Sequence, residues 1–207
     1  VMNKRQVDFE KKLSLAEMLK ESGKGYVSGF FGKGCTPLGW FKDHGYDETD
    51  FIHKHPNGNG HGDWWEPADK TLIPLDDPKR VFSLAKTSNA FLEKRAKDNK
   101  PFFLTISHYA LHVRNMSLKS TRRKYLDMVA EREGIEEKIP DISKFDDNAE
   151  EMPLKMRAHW ERANYAAMME NMDTSIGMVL DRLKELGLRK NTFVIFSSDN
   201  GGGASNK

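Results

Sequence analysis

Three short apolar segments alternate with helical patterns along this chain. The first is Y-V-S-G-F-F-G at residues 26–32, the second is P-F-F-L-T-I-S at residues 101–107, and the third is T-F-V-I-F-S-S at residues 192–198. Short runs of β-branched and aromatic residues are typical of buried strands. Strands that alternate with helices pair in parallel through right-handed crossovers. The sequence therefore predicts an α/β fold with a mainly parallel sheet flanked by helices, and ligands are expected beyond the carboxyl ends of the strands.

Helical patterns separate the apolar segments. The letters S-L-A-E at residues 14–17 form a capping box, which predicts a helix from about residue 15 to residue 22. The Asp-Pro pair at residues 77–78 predicts the start of a second helix. Apolar residues recur at spacings of three and four over residues 165–186, and Gly187 follows them as a C-terminal cap. This last pattern is the strongest helix prediction in the chain.

A long irregular region is predicted at residues 34–77. It is rich in Gly, Pro, His and Asn, and its apolar residues follow no period. Loops of this length in compact domains are usually functional, so we expect this one to lie near a site. Its stretch H-K-H-P-N-G-N-G-H-G-D, at residues 53–63, contains ligands suited to zinc. We favour substrate contact at the rim of a site for these residues, because no rigid scaffold accompanies them.

The charge and cysteine content exclude several classes of protein. The chain has 33 Lys and Arg and 31 Asp and Glu, a net charge of +2 that is too balanced to indicate binding to nucleic acid or anionic lipid. The basic residues at 122–124 are predicted to be solvated surface. Its single cysteine excludes an intrachain disulfide framework and a multi-cysteine zinc site. No apolar run approaches the roughly 20 residues that span a bilayer, so no membrane span is predicted.

Residues with useful chemistry follow each apolar segment. Lys33 follows the first, His108 and His112 follow the second, and Asp199 and Asn200 follow the third. Carboxylate and amide oxygens suit Ca²⁺ or Mg²⁺, although Asp, Asn and Gly are also common turn residues. A histidine just past a strand can act as a general acid or bind an anion, although a single such histidine is more often structural. Because parallel strands end at one edge of a sheet, these residues together describe a site for a tetrahedral oxyanion.

The chain resembles the type I sulfatases of the alkaline phosphatase superfamily. Five segments match motifs of that family in the same order: residues 15–33, residues 44–48 (H-G-Y-D-E), residues 100–112, residues 165–188, and residues 191–202 (N-T-F-V-I-F-S-S-D-N-G-G). Each segment alone is moderately specific, and their shared order is highly specific. The resemblance implies that residues 1–207 are an internal portion of a sulfatase catalytic domain.

The resemblance also implies a role for each candidate residue. Lys33 would contact the sulfate and the oxygen of the nucleophile, and His112 would bind the sulfate ester and donate a proton to the leaving group. Asp199 and Asn200 would ligate Ca²⁺, with Mg²⁺ as an alternative, and the metal would polarise the sulfate. The family's nucleophile is a formylglycine made from cysteine, and we expect it upstream of this chain. A sulfated small molecule or glycan would be the substrate, and the protein would be periplasmic, secreted or lysosome-like.

Cys35 departs from the nucleophile motif of the family, which reads Cys-x-Pro-x-Arg. Gly39 stands where the arginine is required, and Cys35 follows the Gly-Lys turn that it should precede. We therefore do not assign Cys35 as the nucleophile.

Two further features of the family have no safe match here. The family's calcium site also uses an Asp-Asp pair near its first strand, and no early strand of this chain carries one. Lys207 comes too early to be matched with the second sulfate-binding lysine. Because the nucleophile and half of the metal site have no match in this chain, we expect the chain alone to be inactive. A phosphodiesterase or phosphonate hydrolase of the same superfamily, or a non-catalytic sulfatase-like binding module, remain the alternatives. The sequence does not indicate which oligomeric state the protein adopts.

Overall fold

A computed structural model describes residues 13–33, 44–50, 76–112, 115–133, 154–199 and 201 of the chain. The chain divides into two compact units. The first comprises Val1–Ile73 and Ser83–Tyr109, and the second comprises Pro74–Phe82 and Ala110–Lys207. The predictions made for Cys35, for most of the irregular region at 34–77, for Asn200 and for Lys207 lie outside the described residues.

The first unit contains a parallel three-stranded sheet. Its strands are β1 (Val27–Gly32), β2 (Glu48–Thr49) and β3 (Phe102–Ser107), in the order β2-β1-β3. Strand β1 pairs in parallel with both neighbours, and its register with β3 runs from Val27 opposite Phe102 to Gly32 opposite Ser107. Helix α2 (Val81–Asp98) leads into β3. The structure therefore confirms the α/β prediction and the first two predicted strands.

Aromatic side chains cover the two faces of this sheet. On one face, the ring of Phe91 in α2 makes an edge contact with Phe31, with 5.9 Å between ring centroids. On the other face, Tyr46 contacts Phe30 at 5.4 Å and Phe103 at 6.0 Å. Phe30 and Phe31 point to opposite faces because successive strand residues alternate sides. The sheet is thus packed on both sides, as parallel sheets generally are.

Helix α1 (Leu15–Glu21) begins with the predicted capping box. The hydroxyl of Ser14 accepts a hydrogen bond from the Glu17 backbone at 3.1 Å, and the Glu17 carboxylate accepts one from the Ser14 backbone at 2.6 Å. The second hydrogen bond lowers the pKa of Glu17. The box therefore satisfies two amides that a helix start otherwise leaves without partners.

The segment H-G-Y-D-E at residues 44–48 joins α1 to the sheet. Ser14 donates to the carbonyl of His44 at 2.7 Å, while the Asp47 carboxylate accepts from the Ser28 backbone at 2.8 Å. Gly45 has φ +86, and a Cβ there would lie 2.7 Å from the Glu17 backbone nitrogen. This glycine is therefore required both by its backbone conformation and by the close approach of α1. The segment's role in the first unit is structural.

The second unit is built on two long helices, α3 (Lys119–Glu133) and α4 (Leu154–Glu185). Its core contains Val81, Ala110 and Met168, against which four partly buried side chains pack: Phe82, Leu111, Tyr165 and Met172. Helix α4 begins eleven residues before the predicted start at 165, because its first three turns carry polar residues that weaken the apolar period. At its C-terminal end, Gly187 has φ +71 and its amide donates to the Lys184 carbonyl, which confirms the predicted cap.

The prediction of solvated surface at residues 122–124 is wrong for Arg122. This side chain is buried, and its guanidinium lies 5.2 Å from the centroid of the Trp160 ring. Arg123 and Lys124 are exposed, as predicted. The difference arises because residues 119–133 form a helix, which places one of three consecutive side chains on the face toward α4.

The third predicted strand, at residues 192–198, is not observed as a strand. This segment has no sheet partner among the described residues, and its apolar side chains are largely exposed: Phe193 at 100%, Ile195 at 88% and Phe196 at 75%. The segment has the composition of a strand, but a strand forms only where its backbone N–H and C=O groups pair with those of a neighbouring strand. In the part of the chain that is described, no helix is long and apolar enough to cross a membrane.

Candidate active site

Lys33 lies directly after β1, at a turn whose backbone is fixed from two sides. Its amide donates to the carbonyl of Ser107 at 2.7 Å, and the preceding amide, of Gly32, donates to the Asp50 carboxylate at 2.8 Å. Gly32 has φ +103, and a Cβ there would lie only 2.0 Å from the Ser107 oxygen. Only glycine fits this position. The sequence singled out a lysine after a glycine, and the structure shows why the glycine is needed to present it.

His108 lies directly after β3 in the same unit. Its Nδ1 atom is buried and has no hydrogen-bond partner among the described residues. Burial lowers the pKa of His108 to about 4, because the charged imidazolium is poorly solvated there. The ring is therefore neutral near pH 7. This makes His108 unsuitable for binding an anion as a cation, one of the roles that the sequence left open for a histidine at this strand end.

His112 belongs to the second unit and is exposed. The two residues before it, Ala110 and Leu111, belong to the hydrophobic cluster around Met168. The backbone is therefore anchored immediately before His112. Its side chain is accessible from solvent, as a proton donor to a bound ligand must be.

The segment after His112 is anchored by Asn164 of α4. This side chain is 0% exposed, and its amide nitrogen donates to the Asn115 carbonyl at 2.7 Å. Its amide oxygen accepts a hydrogen bond from the Ser117 hydroxyl at 2.5 Å. The Ser117 hydroxyl is therefore engaged within the protein.

Asn171 of α4 makes a second connection, to the start of α3. Its amide oxygen accepts from the Leu118 backbone at 2.9 Å, and its amide nitrogen donates to the Thr121 hydroxyl at 3.0 Å. It therefore caps α3 from a neighbouring helix, in the way that an N-cap side chain does locally. Sequence reasoning missed both asparagines. The available signal was a polar amide within the apolar period of a helix.

Asp199 is exposed and follows the apolar segment 192–198. In the described ranges, no group of three or more His, Cys, Asp and Glu side chains is placed to hold a metal ion. A carboxylate is a suitable ligand for Ca²⁺, but this ion takes roughly six to eight oxygens. The chemistry of Asp199 fits the implied ion, and a complete site needs further ligands.

The candidate residues are distributed over both units. Lys33 belongs to the first unit, whereas His112 and Asp199 belong to the second. The structure thus gives the local setting of each residue, and their convergence on one ligand stays a prediction.

The chain belongs to the sulfatase family, because the family model named Sulfatase matches residues 3–207. It is 29% identical over 203 residues to an ulvan-active sulfatase of Formosa agariphila, a match that covers 91% of this chain and 35% of the relative. It is 30% identical over 228 residues to an uncharacterized sulfatase of Schizosaccharomyces pombe, covering 91% of this chain and 40% of that protein. The chain therefore spans well under half of the length of these relatives.

The fold is also similar to that of a solved structure titled "Crystal structure of Ps i-CgsB". The TM-score is 0.50 at 17% sequence identity, and the match covers 84% of this chain and 36% of the other. At this identity the likeness shows the fold alone. It agrees with the α/β architecture seen in the first unit.

Proposed function

We propose that the full-length protein is a sulfuric ester hydrolase that releases sulfate from a sulfated glycan or a small aryl sulfate. The observation that carries this proposal is the family match over residues 3–207, which includes every strand-end residue named above. A glycan is favoured as substrate class by the name of one relative, the ulvan-active sulfatase. The family membership and the local settings of Lys33 and His112 support the roles that follow.

In this proposal, Lys33 binds the non-bridging oxygens of the sulfate. A sulfate monoester carries one negative charge spread over its terminal oxygens, and an ammonium group attracts it as a point charge. The rigid turn at Gly32 limits where the lysine side chain can reach, since the amides of both residues are hydrogen-bonded. A preorganised charge of this kind stabilises the transition state without reorganisation during the reaction.

His112 donates a proton to the leaving oxygen as the S–O ester bond breaks. Without this proton the leaving group departs as an alkoxide, which is slow when the alcohol is weakly acidic. The nucleophile's oxygen takes the sulfuryl group from the leaving oxygen and then releases it as sulfate, so that overall the ester and one water give the alcohol and sulfate. We assign the nucleophile to a formylglycine outside residues 1–207, and no residue of this chain takes that role. Asp199 and Asn200 would hold Ca²⁺, which polarises the sulfate oxygens when bound.

Alanine substitution in the full-length protein tests these two roles. We expect Lys33→Ala and His112→Ala each to lower the release of sulfate from phenyl sulfate, whose leaving group needs a proton, by about 100-fold or more. Lys24→Ala and His159→Ala are matched controls from the same two units and should retain full activity. A loss below about tenfold at both positions would contradict the assignments.

A substrate comparison tests the reaction class. The wild-type protein should hydrolyse an aryl sulfate faster than the matching phosphate diester or phosphonate ester. The reverse preference would show another hydrolase of the superfamily, and no turnover of any ester would favour a non-catalytic binding module. We further expect the 207-residue chain alone to be inactive, because no residue of its sequence is assigned as the nucleophile. Turnover of an aryl sulfate by that chain would contradict this expectation.

A further inference from the structure

We infer that Asn164 and Ser117 are positioning residues for His112. Their hydrogen bonds, together with the one from Asn164 to the Asn115 carbonyl, form a unit that we call the Asn164 clamp. The inference rests on the proposed role of His112 as the proton donor. The clamp does not touch substrate, and it acts by fixing the backbone that carries the histidine.

The clamp restrains the chain close to His112 on its C-terminal side. Asn115 follows His112 by three residues, so its Cα lies at most about 11 Å from that of His112 along the chain. On the N-terminal side, Leu111 is packed in the cluster around Met168. His112 is therefore held between two anchored points that are four residues apart. A displacement of either one moves the imidazole relative to whatever it protonates.

Helix α4 binds the segment that follows His112 and the hydrophobic cluster that precedes it. Asn164 and Asn171 are seven residues apart, which is about two helical turns, so they lie on one face of the helix. Ser175, four residues further on, is buried and donates to the carbonyl of Val81 at 2.6 Å. Val81 in turn packs with Ala110 in the hydrophobic cluster. A single helix face thus binds the backbone that follows the histidine and a residue of the cluster that contains Ala110.

Burial makes the clamp sensitive to small changes. The side chain of Asn164 is inaccessible to solvent, so its amide oxygen depends on the Ser117 hydroxyl for a donor. Removing the Ser117 hydroxyl leaves the Asn164 oxygen without the partner that it has in the clamp, a situation that costs more than the hydrogen bond itself contributes. The segment is then expected to shift until the oxygen finds another donor. A displacement of about 1 Å at a reacting group can lower the rate by two orders of magnitude.

The decisive experiment measures the dependence of kcat on the leaving group in the full-length protein. A proton donor matters little for 4-nitrophenyl sulfate, whose leaving group is stable as an anion, and matters much more for phenyl sulfate. We expect Ser117→Ala to lower kcat for phenyl sulfate by about tenfold or more, to change kcat for the nitrophenyl ester by less than about threefold, and to leave KM nearly unchanged. Ser117→Thr keeps a hydroxyl and should restore both rates.

Trp160→Phe is the matched control. It weakens the packing of α3 on α4 through the contact with Arg122 and removes none of the clamp hydrogen bonds. It should lower Tm without a leaving-group effect. The inference would be overturned if Ser117→Ala lowered kcat equally for both esters. It would also be overturned if Trp160→Phe, at the same Tm, lowered kcat for phenyl sulfate as much as Ser117→Ala does. Wild-type kcat in Ser117→Ala would overturn it as well.

A second readout separates this inference from the proposed function. If the wild-type protein releases no sulfate, the proposed function fails, and the clamp is tested by the NMR signals of the His112 ring. These should shift in Ser117→Ala, and they should stay in place in Ser117→Thr and Trp160→Phe. Unchanged His112 signals in Ser117→Ala would show that the clamp does not position the histidine, whatever the activity of the protein.

Discussion

His108 should make the protein sensitive to mild acid. Burial lowers its pKa from an ordinary value of 6.5 to about 4 in the folded protein, and its Nδ1 has no hydrogen-bond partner among the described residues. The unfolded chain therefore binds a proton to this ring more readily than the folded protein does. The contribution of His108 to the free energy of unfolding is at its maximum above the ordinary pKa, and it decreases as the pH falls from about 6.5 toward 4.

The size of the effect follows from the difference between the two pKa values of His108. A lowering from 6.5 to about 4 corresponds to about 3 kcal/mol in total, since each unit of pKa is worth about 1.4 kcal/mol. Between about pH 7 and pH 5, the linkage relation gives a loss of about 2 kcal/mol. This is a substantial part of the 5–15 kcal/mol that is typical for the unfolding of a domain, roughly a seventh to two fifths of it.

Urea unfolding of wild type and His108→Leu at a series of pH values tests this prediction. Leucine does not titrate and fills a similar volume, so the difference in unfolding free energy between the two proteins should change by about 2 kcal/mol in favour of the variant as the pH falls from about 7 to 5. The same measurement on His159→Gln is the control for replacing a histidine that is only partly buried. A difference between His108→Leu and wild type that stays constant over this range would refute the reasoning, because it would mean that the ring titrates alike in both states.

Two further predictions concern local geometry. Gly32→Ala should destabilise the protein by about 2 kcal/mol or more and lower its activity. The residue has φ +103, and the added Cβ would lie 2.0 Å from the Ser107 oxygen. Gly177→Ala, in helix α4, is the control, because its Cβ would meet nothing within 4 Å. Urea unfolding should show that this variant gains about 0.5–1 kcal/mol in free energy of unfolding. Equal losses of stability in both variants would contradict the argument. Phe193→Ser and Ile195→Thr should each change the free energy of unfolding by less than about 0.5 kcal/mol, since both side chains are exposed. A loss above about 2 kcal/mol in the full-length protein would instead indicate the buried strand that the sequence pattern predicted.

Local signals allowed much of the first unit to be predicted. The capping box at Ser14 depends on two side chains three residues apart, and the strands β1 and β3 depend on short apolar runs. Such features are decided by contacts within a few residues, so a single sequence contains them. The short strand β2 was not predicted. It has two residues and forms only because β1 lies beside it, which no local pattern reports.

The segment at 192–198 shows the opposite case, in which a correct composition led to an incorrect structure. Its alternation of Phe, Val and Ile has the propensity of a buried strand, yet Phe193 is fully exposed and no pairing is present in the described ranges. Strand propensity measures how well a side chain fits a pleated, half-buried surface, and it cannot supply that surface. The prediction therefore depended on a neighbour that the sequence pattern does not specify.

The same distinction explains why the candidate site was only partly predictable. Lys33 and His112 could be selected because each follows a strand, and position relative to a strand end is a local property. Asn164 could not be selected, because its function depends on Asn115 and Ser117, which lie 49 and 47 residues away in the chain. A buried asparagine within an apolar helical period is costly unless its amide is satisfied, so such a residue indicates a distant backbone partner. In α4 the same reasoning extends to Asn171 and Ser175, whose buried polar side chains bind the backbone of Leu118 and of Val81.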